Sequence, residues 1–244
     1  MHKTAIIPAR YSSTRLPAKP LKLIEGKSLI QRVYEAVAET NLFDRIIIAT
    51  DHEEIYNHAL PFRAETMMTS PTHQSGTDRI EECARQIKTD LIVNVQGDEP
   101  FITKEPLEKL LNSFGDIAIA SLMHILEDVD DIKNPNFVKV VTDKDSNAIY
   151  FSRSPIPFNR DNVSEVVYYK HIGVYAFRPE ALTAFVELPQ GILEQVERLE
   201  QLRFLENGYK IKMVLTNYTG IGIDTHEDLK KAEVIYQSVW KSMK

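Results

Sequence analysis

Short apolar runs alternate with helical patterns through the first half of the chain, and this alternation restricts the fold more than any other feature of the sequence. Residues 5–7 read as a buried strand ending at Pro8. Over 28–40, Ile30, Val33 and Val37 share one helix face, and Ile46, Ile47 and Ile48 form a second β-branched run. The pattern predicts a helix over 78–88, a strand over 91–95 and another strand over 117–122. Between those strands, Leu107, Leu110, Leu111 and Phe114 recur at the i, i+3, i+4, i+7 spacing of an amphipathic helix. Uninterrupted apolar strands separated by helices predict an α/β fold with a mostly parallel, Rossmann-like sheet covered on both faces.

The second half is less regular. Segments 137–142 and 148–151 flank the turn-rich run 143–147 and read as a hairpin. Pro155 and Pro157 interrupt regular structure before a strand at 168–177. Helices are expected over 179–188 and 193–206, the second stopped by Asn207-Gly208, and a strand over 210–215. Thr225-x-x-Asp228 is a capping box for a last helix whose core face would be Leu229, Ala232, Tyr236, Val239 and Trp240. No linker or repeat separates these elements, so the expected organisation is a single domain over 1–244 with an inserted β-rich lobe around 135–190.

Charge and cysteine usage narrow the function classes. With Lys+Arg at 29 and Asp+Glu at 35, the chain is acidic, a poor default for duplex nucleic acid or anionic membrane. Any cation cluster on such a chain is local and suited to a small anion. Cys83 is the only cysteine, so no internal disulfide is available, as expected in a reducing compartment. The first residues are too sparsely apolar for a signal-peptide core, and no apolar run reaches membrane-spanning length. A cytoplasmic protein is expected.

Ligands of parallel α/β sheets bind at the carboxyl ends of the strands. The first such loop, 8–21, gathers Arg10, Arg15 and Lys19 with Ser12, Ser13 and Thr14, between Pro8, Pro17 and Pro20. Arg grips phosphate oxygens bidentately, Lys adds a point charge, and hydroxyls fill the remaining acceptor sites. The competing reading is a solvated basic loop. Neither a Walker loop nor a dinucleotide fingerprint is present, which sets aside a nicotinamide-dependent dehydrogenase. After the strand at 91–95 comes Gln96-Gly97-Asp98-Glu99-Pro100, a carboxylate beside a glycine that permits close approach. Asp224 is a second isolated loop acid. One or two carboxylates plus phosphate oxygens is the usual Mg²⁺ donor set, although each acid alone reads equally as a turn or helix-entry residue. The segment 73–78, with Gln74, Ser75 and Gly76 opening a helix, suits contact with a base or phosphate, or ordinary N-capping.

Several motifs in order carry a resemblance: IIPARYSSTRLPAKPL (6–21), ATDHEEI (49–55), HQSGTDR (73–79), VNVQGDEP (93–100), VKVV (138–141), YFSRSPIPFNRD (150–161), KHIGVYAF (170–177), LEQLR (199–203) and GIDTHEDL (222–229). Nearly end to end, the chain resembles the 3-deoxy-manno-octulosonate (Kdo) cytidylyltransferases of the sugar nucleotidyltransferase superfamily. The resemblance implies the nucleotide-diphospho-sugar transferase type of fold and transfer of CMP from CTP to Kdo with release of pyrophosphate, for lipopolysaccharide biosynthesis. It implies that Arg10, Ser13, Arg15 and Lys19 hold CTP, that Gln74, Ser75 and Gly76 line the cytidine pocket, and that Asp98 and Asp224 ligate Mg²⁺. Lys19, Asp98 and Asp224 would be catalytic. Gln96, Arg153, Arg160, His171, Tyr175, Glu200 and Gln201 would bind the sugar, with Glu200 and Gln201 directed away from an apolar face of Val196, Leu199, Leu202 and Leu205. A homodimer formed partly by the inserted lobe is also implied.

Two departures stand out. Position 18 is Ala where the family motif has Gly, and the loop is expected to accept it with φ < 0. The segment 59–66 lacks a glycine-rich turn before its strand. The alternatives are a cytidylyltransferase for a related acidic sugar, 8-amino-Kdo or a sialic acid, and a catalytically silent nucleotide-sugar binder.

Overall fold

A computed structural model describes residues 1–238 except 14, 74 and 116. The chain packs as two compact units, Met1–Lys104 with Gly220–Lys244, and Glu105–Thr219.

The first unit is built on β1 (Lys3–Ala9), in which Ala5, Ile6 and Ile7 are wholly buried. A two-residue ribbon, β2 (Leu23–Ile24) and β3 (Lys27–Ser28), leads into α1 (Leu29–Glu39). Ser28 caps α1 by accepting from the Gln31 amide at 3.2 Å, and Leu29, Ile30, Val33 and Val37 form its buried stripe. Then come β4 (Arg45–Thr50), α2 (Glu53–Ala59), β5 (Glu65–Met68), α3 (Gly76–Ala84) and β6 (Leu91–Asn94). The strands lie in the order β6-β1-β4-β5, all parallel. Pro8 is tolerated in the central strand because pairing with β6 ends at Ile6 and only β4 continues alongside. The helix expected over 78–88 starts earlier, at Gly76, and gives way to turns after Ala84.

The second unit opens in α4 (Lys104–Asn112) and continues through β7 (Ile119–Leu126), α5 (Val129–Lys133), β8 (Lys139–Thr142), β9 (Ala148–Ser152) and β10 (Tyr168–Phe177). Next come α6 (Pro179–Glu187), α7 (Ile192–Glu197), α8 (Gln201–Glu206) and β11 (Lys212–Leu215). Its sheet is mixed: β11 runs parallel to β7, and β10 runs antiparallel to both β7 and β8. The hairpin β8–β9 closes as expected, with Asp143 Oδ1 accepting from the Asp145 and Asn147 amides.

The single helix read over 193–206 is two helices. Arg198 takes the left-handed conformation (φ 55°) and ends α7, so the stripe of Val196, Leu199, Leu202 and Leu205 does not share one face. Leu199 and Leu202 are buried, while Val196 is 76 % exposed. The stop at Asn207-Gly208 holds: Gly208 has φ 80°, and the Tyr209 amide reaches back to Phe204 O at 3.0 Å. Phe114 lies beyond α4, and β7 runs on to Leu126.

The chain then returns to the first unit in α9 (His226–Ser238). Thr225 and Asp228 form the anticipated reciprocal cap. Ala232 is buried, and the Arg32 guanidinium lies 3.8 Å over the Tyr236 ring while donating to Ile24 O and Glu25 O. Val239 and Trp240 fall outside the described residues.

Candidate active site

In the first unit, the loop after β1 is anchored by Leu16 and Pro20, both buried, and Ser13 Oγ accepts from the Leu16 amide at 3.4 Å. Arg10 and Arg15 remain exposed. Ala18 adopts φ 52°, ψ 39°, so the expectation of φ < 0 is corrected. The chain must reverse there to enter the 3₁₀ turn Lys19–Leu21, and the turn imposes the left-handed geometry despite the Cβ.

That turn directs Lys19 inward. Its Nζ donates to Asp98 Oδ2 at 2.6 Å and to Asp224 Oδ1 at 3.0 Å. Arg15 Nη2 meets Asp224 Oδ2 at 2.9 Å. Asp98 is set by the turn after β6, and Ile223 N donates to Asp98 O at 3.0 Å, tying the second acidic loop to the first. Gly97 is required here: a Cβ built on it would lie 2.5 Å from Pro8 O, so only glycine lets this loop pass over the end of β1. Burial alone would lower the Lys19 pKa, but Asp98 and then Asp224 outweigh it and hold the ammonium above its ordinary value. Asp224 is likewise held below the carboxylate range: Lys19 and Arg15 overcome its desolvation.

Asp98 and Asp224 converge on one cationic nitrogen, and they are the side chains here that could hold a metal cation. Among the described residues no group of three or more His, Cys, Asp or Glu forms a metal cage. A two-carboxylate donor set fits Mg²⁺, which keeps waters and takes phosphate oxygens for its other positions.

Ser75 caps α3, accepting from Asp78 N at 3.1 Å while its own amide donates to Asp78 Oδ2. The capping reading is therefore realised, and the Ser75 hydroxyl proton remains available to a ligand. A Cβ on Gly76 would meet only Pro8 Cγ at 3.9 Å, so this glycine is not forced by packing. Gln74 lies outside the described residues. Gln96 is half-buried at the end of β6.

The remaining predicted sugar residues belong to the second unit. His171 and Tyr175 share β10, their rings 5.3 Å apart. Burial, with Lys170 adding, lowers the His171 pKa to about 3, so the ring is neutral and cannot serve as a cation for a carboxylate. Its Nε2 lies 3.0 Å from Ser121 Oγ, which also contacts the carbonyls of Ile172 and Val174. The arrangement that satisfies all of these places the proton on His171 Nε2, leaving Nδ1 as an acceptor. Burial and then Glu200 raise the Tyr175 pKa well above 10. Tyr175 Oη and Gln201 Nε2 are buried without a hydrogen-bond partner, unused capacity of the kind a polyhydroxylated ligand fills. Arg160 is exposed.

Arg153 is more committed than the sequence suggests. Its guanidinium donates to Glu197 O at 2.9 Å, Pro135 O at 3.0 Å and Arg198 O at 3.4 Å. Lys139, wholly buried, donates to Arg153 O, Asn134 O and Phe137 O. Sequence reasoning did not single out Lys139 or the buried Asp51–Arg79 pair, although each lies in a quoted motif. Only their depth distinguishes them from ordinary surface charges.

Fold and site are those of a nucleotidyltransferase: the loops after β1 and β6 and the loop before α9 bring Lys19, Asp98 and Asp224 to one place. The Cytidylyltransferase family profile matches residues 4–211. A 3-deoxy-manno-octulosonate cytidylyltransferase of Christiangramia forsetii is 48% identical over 233 residues, covering 93% of this chain and 94% of the relative. One from Flavobacterium johnsoniae is 47% identical over 240 residues, covering 96% and 98%. The chain belongs to the 3-deoxy-manno-octulosonate cytidylyltransferase family. A solved CMP:2-keto-3-deoxy-manno-octonic acid synthetase complexed with CTP is similar at TM-score 0.93 and 38% identity, over 97% of this chain and 99% of that one. A 4-diphosphocytidyl-2C-methyl-D-erythritol synthase from Anaerococcus prevotii, at 18% identity and TM-score 0.65, shares the fold.

Proposed function

We propose that the protein transfers CMP from CTP to the anomeric hydroxyl of Kdo, releasing pyrophosphate and giving CMP-Kdo. The observation that carries this reading is the convergence of Asp98 and Asp224 on Lys19 Nζ, beside Arg15, within a chain closely related to Kdo cytidylyltransferases over nearly its whole length. The sugar oxygen forms a bond to the α-phosphorus, the bond to the pyrophosphate oxygen breaks, and the hydroxyl proton leaves to solvent. Such transfer rests on positioning and charge stabilisation and needs no covalent nucleophile. Asp98 and Asp224 would hold Mg²⁺, which when bound polarises phosphate oxygens and stabilises the leaving charge. Lys19, fixed as an ammonium, and Arg15 counter charge on the departing phosphates, while Arg10 and Ser13 hold the triphosphate. Gln74, Ser75 and Gly76 orient the cytosine.

In the second unit, neutral His171 accepts from a sugar hydroxyl. Tyr175 and Gln201 use their unpartnered polar atoms, and Glu200 adds an acceptor. Arg160 and the remaining donors of Arg153 balance the sugar carboxylate. The product serves lipopolysaccharide assembly, and the protein works in the cytoplasm; among the described residues no helix is long and apolar enough to cross a membrane. Exposed Phe158, Ile192 and Val196 on the second unit support a homodimer, which sedimentation at micromolar concentration tests. The deciding experiment is pyrophosphate release from CTP and Mg²⁺ with Kdo, 8-amino-Kdo or N-acetylneuraminate, each with an EDTA control. Metal-dependent release with Kdo is expected. Release with another sugar alone overturns the sugar assignment, and no release with any sugar favours a silent binder.

A further inference from the structure

Asp51 stands at the end of β4, in neither the metal pair nor the predicted substrate contacts, yet its two carboxylate oxygens face different loops. Oδ1 accepts from the Tyr11 amide at 3.1 Å, at the start of the phosphate loop. Oδ2 accepts from Arg79 Nη2 at 2.9 Å, on the helix that begins at the base loop. The pair is deep, with Arg79 4% and Asp51 14% exposed in their side chains. Arg79 Nη1 donates in turn to Thr69 Oγ1, and that hydroxyl to Thr50 O at 3.0 Å. The guanidinium is thereby held at both ends, and Tyr11 is steadied further by its ring stacking on His52 at 3.8 Å.

From this geometry we infer that Asp51, acting through Arg79, is a positioning residue that fixes the separation of the phosphate loop and the base loop. The inference rests on the reading of CTP as the nucleotide. A triphosphate and a base joined in one molecule gain from two subsites only when the subsites stand at the span of the ligand, because the second contact is then made within one complex. Pre-fixing that span removes an ordering cost from binding. A bridge of this kind is felt by the whole nucleotide and not by its parts. A merely structural role for Asp51 would weaken whole and parts alike.

The test measures binding of Mg·CTP, pyrophosphate with Mg²⁺, and cytidine by calorimetry to wild type, Asp51→Asn and Arg79→Lys. Asn keeps the size of Asp51 but cannot accept on both sides, and Lys cannot reach Asp51 and Thr69 together. Val37→Ala in the core of α1 serves as a destabilised control. Both bridge variants are expected to weaken CTP binding about tenfold or more, with pyrophosphate, cytidine and the Kdo KM within about threefold of wild type. Equal weakening of CTP and its fragments overturns the inference, as does a CTP change below about twofold or an equal loss in Val37→Ala. If Asp51→Asn does not fold, Arg79→Lys decides by the same criteria. Wild-type protein that binds none of the three ligands removes the nucleotide reading itself, and the bridge with it.

Discussion

Gly97→Ala displaces the Asp98 carboxylate by an amount the structure supplies. The added Cβ would lie 2.5 Å from Pro8 O and 3.6 Å from Pro8 C, whereas ordinary contact begins at 3.4 Å. Pro8 belongs to β1 and is held in register against Ala49 of β4, so the 96–100 loop is the part that gives way, by about 0.9 Å. Asp98 is the next residue, and its 2.6 Å contact with Lys19 stretches with the loop. A misplacement of about 1 Å at reacting groups costs on the order of 10²-fold in rate. Overpacking adds about 1–3 kcal/mol of destabilisation, a fall of several degrees in Tm for a chain of this size. Steady-state pyrophosphate release at saturating CTP, Kdo and Mg²⁺ measures kcat, with circular dichroism confirming the fold. Gly115→Ala, where a Cβ meets nothing within 4 Å, is the neutral control. A Gly97→Ala enzyme within about threefold of wild-type kcat refutes the argument that this glycine sets Asp98.

Other consequences are equally direct. Ala18→Gly relieves a left-handed strain of about 1–2 kcal/mol, offset by the greater freedom of unfolded glycine, for a net gain of about 0.5–1 kcal/mol. A raised urea midpoint is expected, and a lowered one contradicts it. His171 has a folded pKa of about 3 against an ordinary 6.5, so between those values the unfolded chain binds the extra proton. Stability is then full above pH 6.5 and falls as pH drops toward 3, by up to about 1.4 kcal/mol per pH unit. Urea midpoints at intervals from pH 7.5 to 4 should fall less steeply in His171→Gln; parallel curves count against the assignment. Arg153→Ala should raise the Kdo KM far more than the CTP KM, together with a lower Tm from the loss of its three carbonyl contacts. Equal KM rises would take Arg153 out of the sugar site.

Features governed by short-range rules were legible in the order of the amino acids. Strand and helix periodicity set the parallel sheet of the first unit, because side-chain period depends on near neighbours along the chain. Strand-end chemistry pointed to the loops that carry Lys19 and Asp98, since parallel sheets deliver their loops to one edge, and Asp224 was read as an isolated acid ahead of the last helix. Cap residues fixed the start of α9 and the end of α8 for the same local reason. The left-handed Ala18, the break at Arg198, the carbonyl partners of Arg153 and the burial of Lys139 were decided only in three dimensions. So was the bridge from Asp51 to Arg79, 28 positions apart, and the meeting of Lys19 with Asp224, 205 positions apart. Each depends on a partner distant in the chain, and local propensity carries no information about which distant group will satisfy a buried charge or carbonyl.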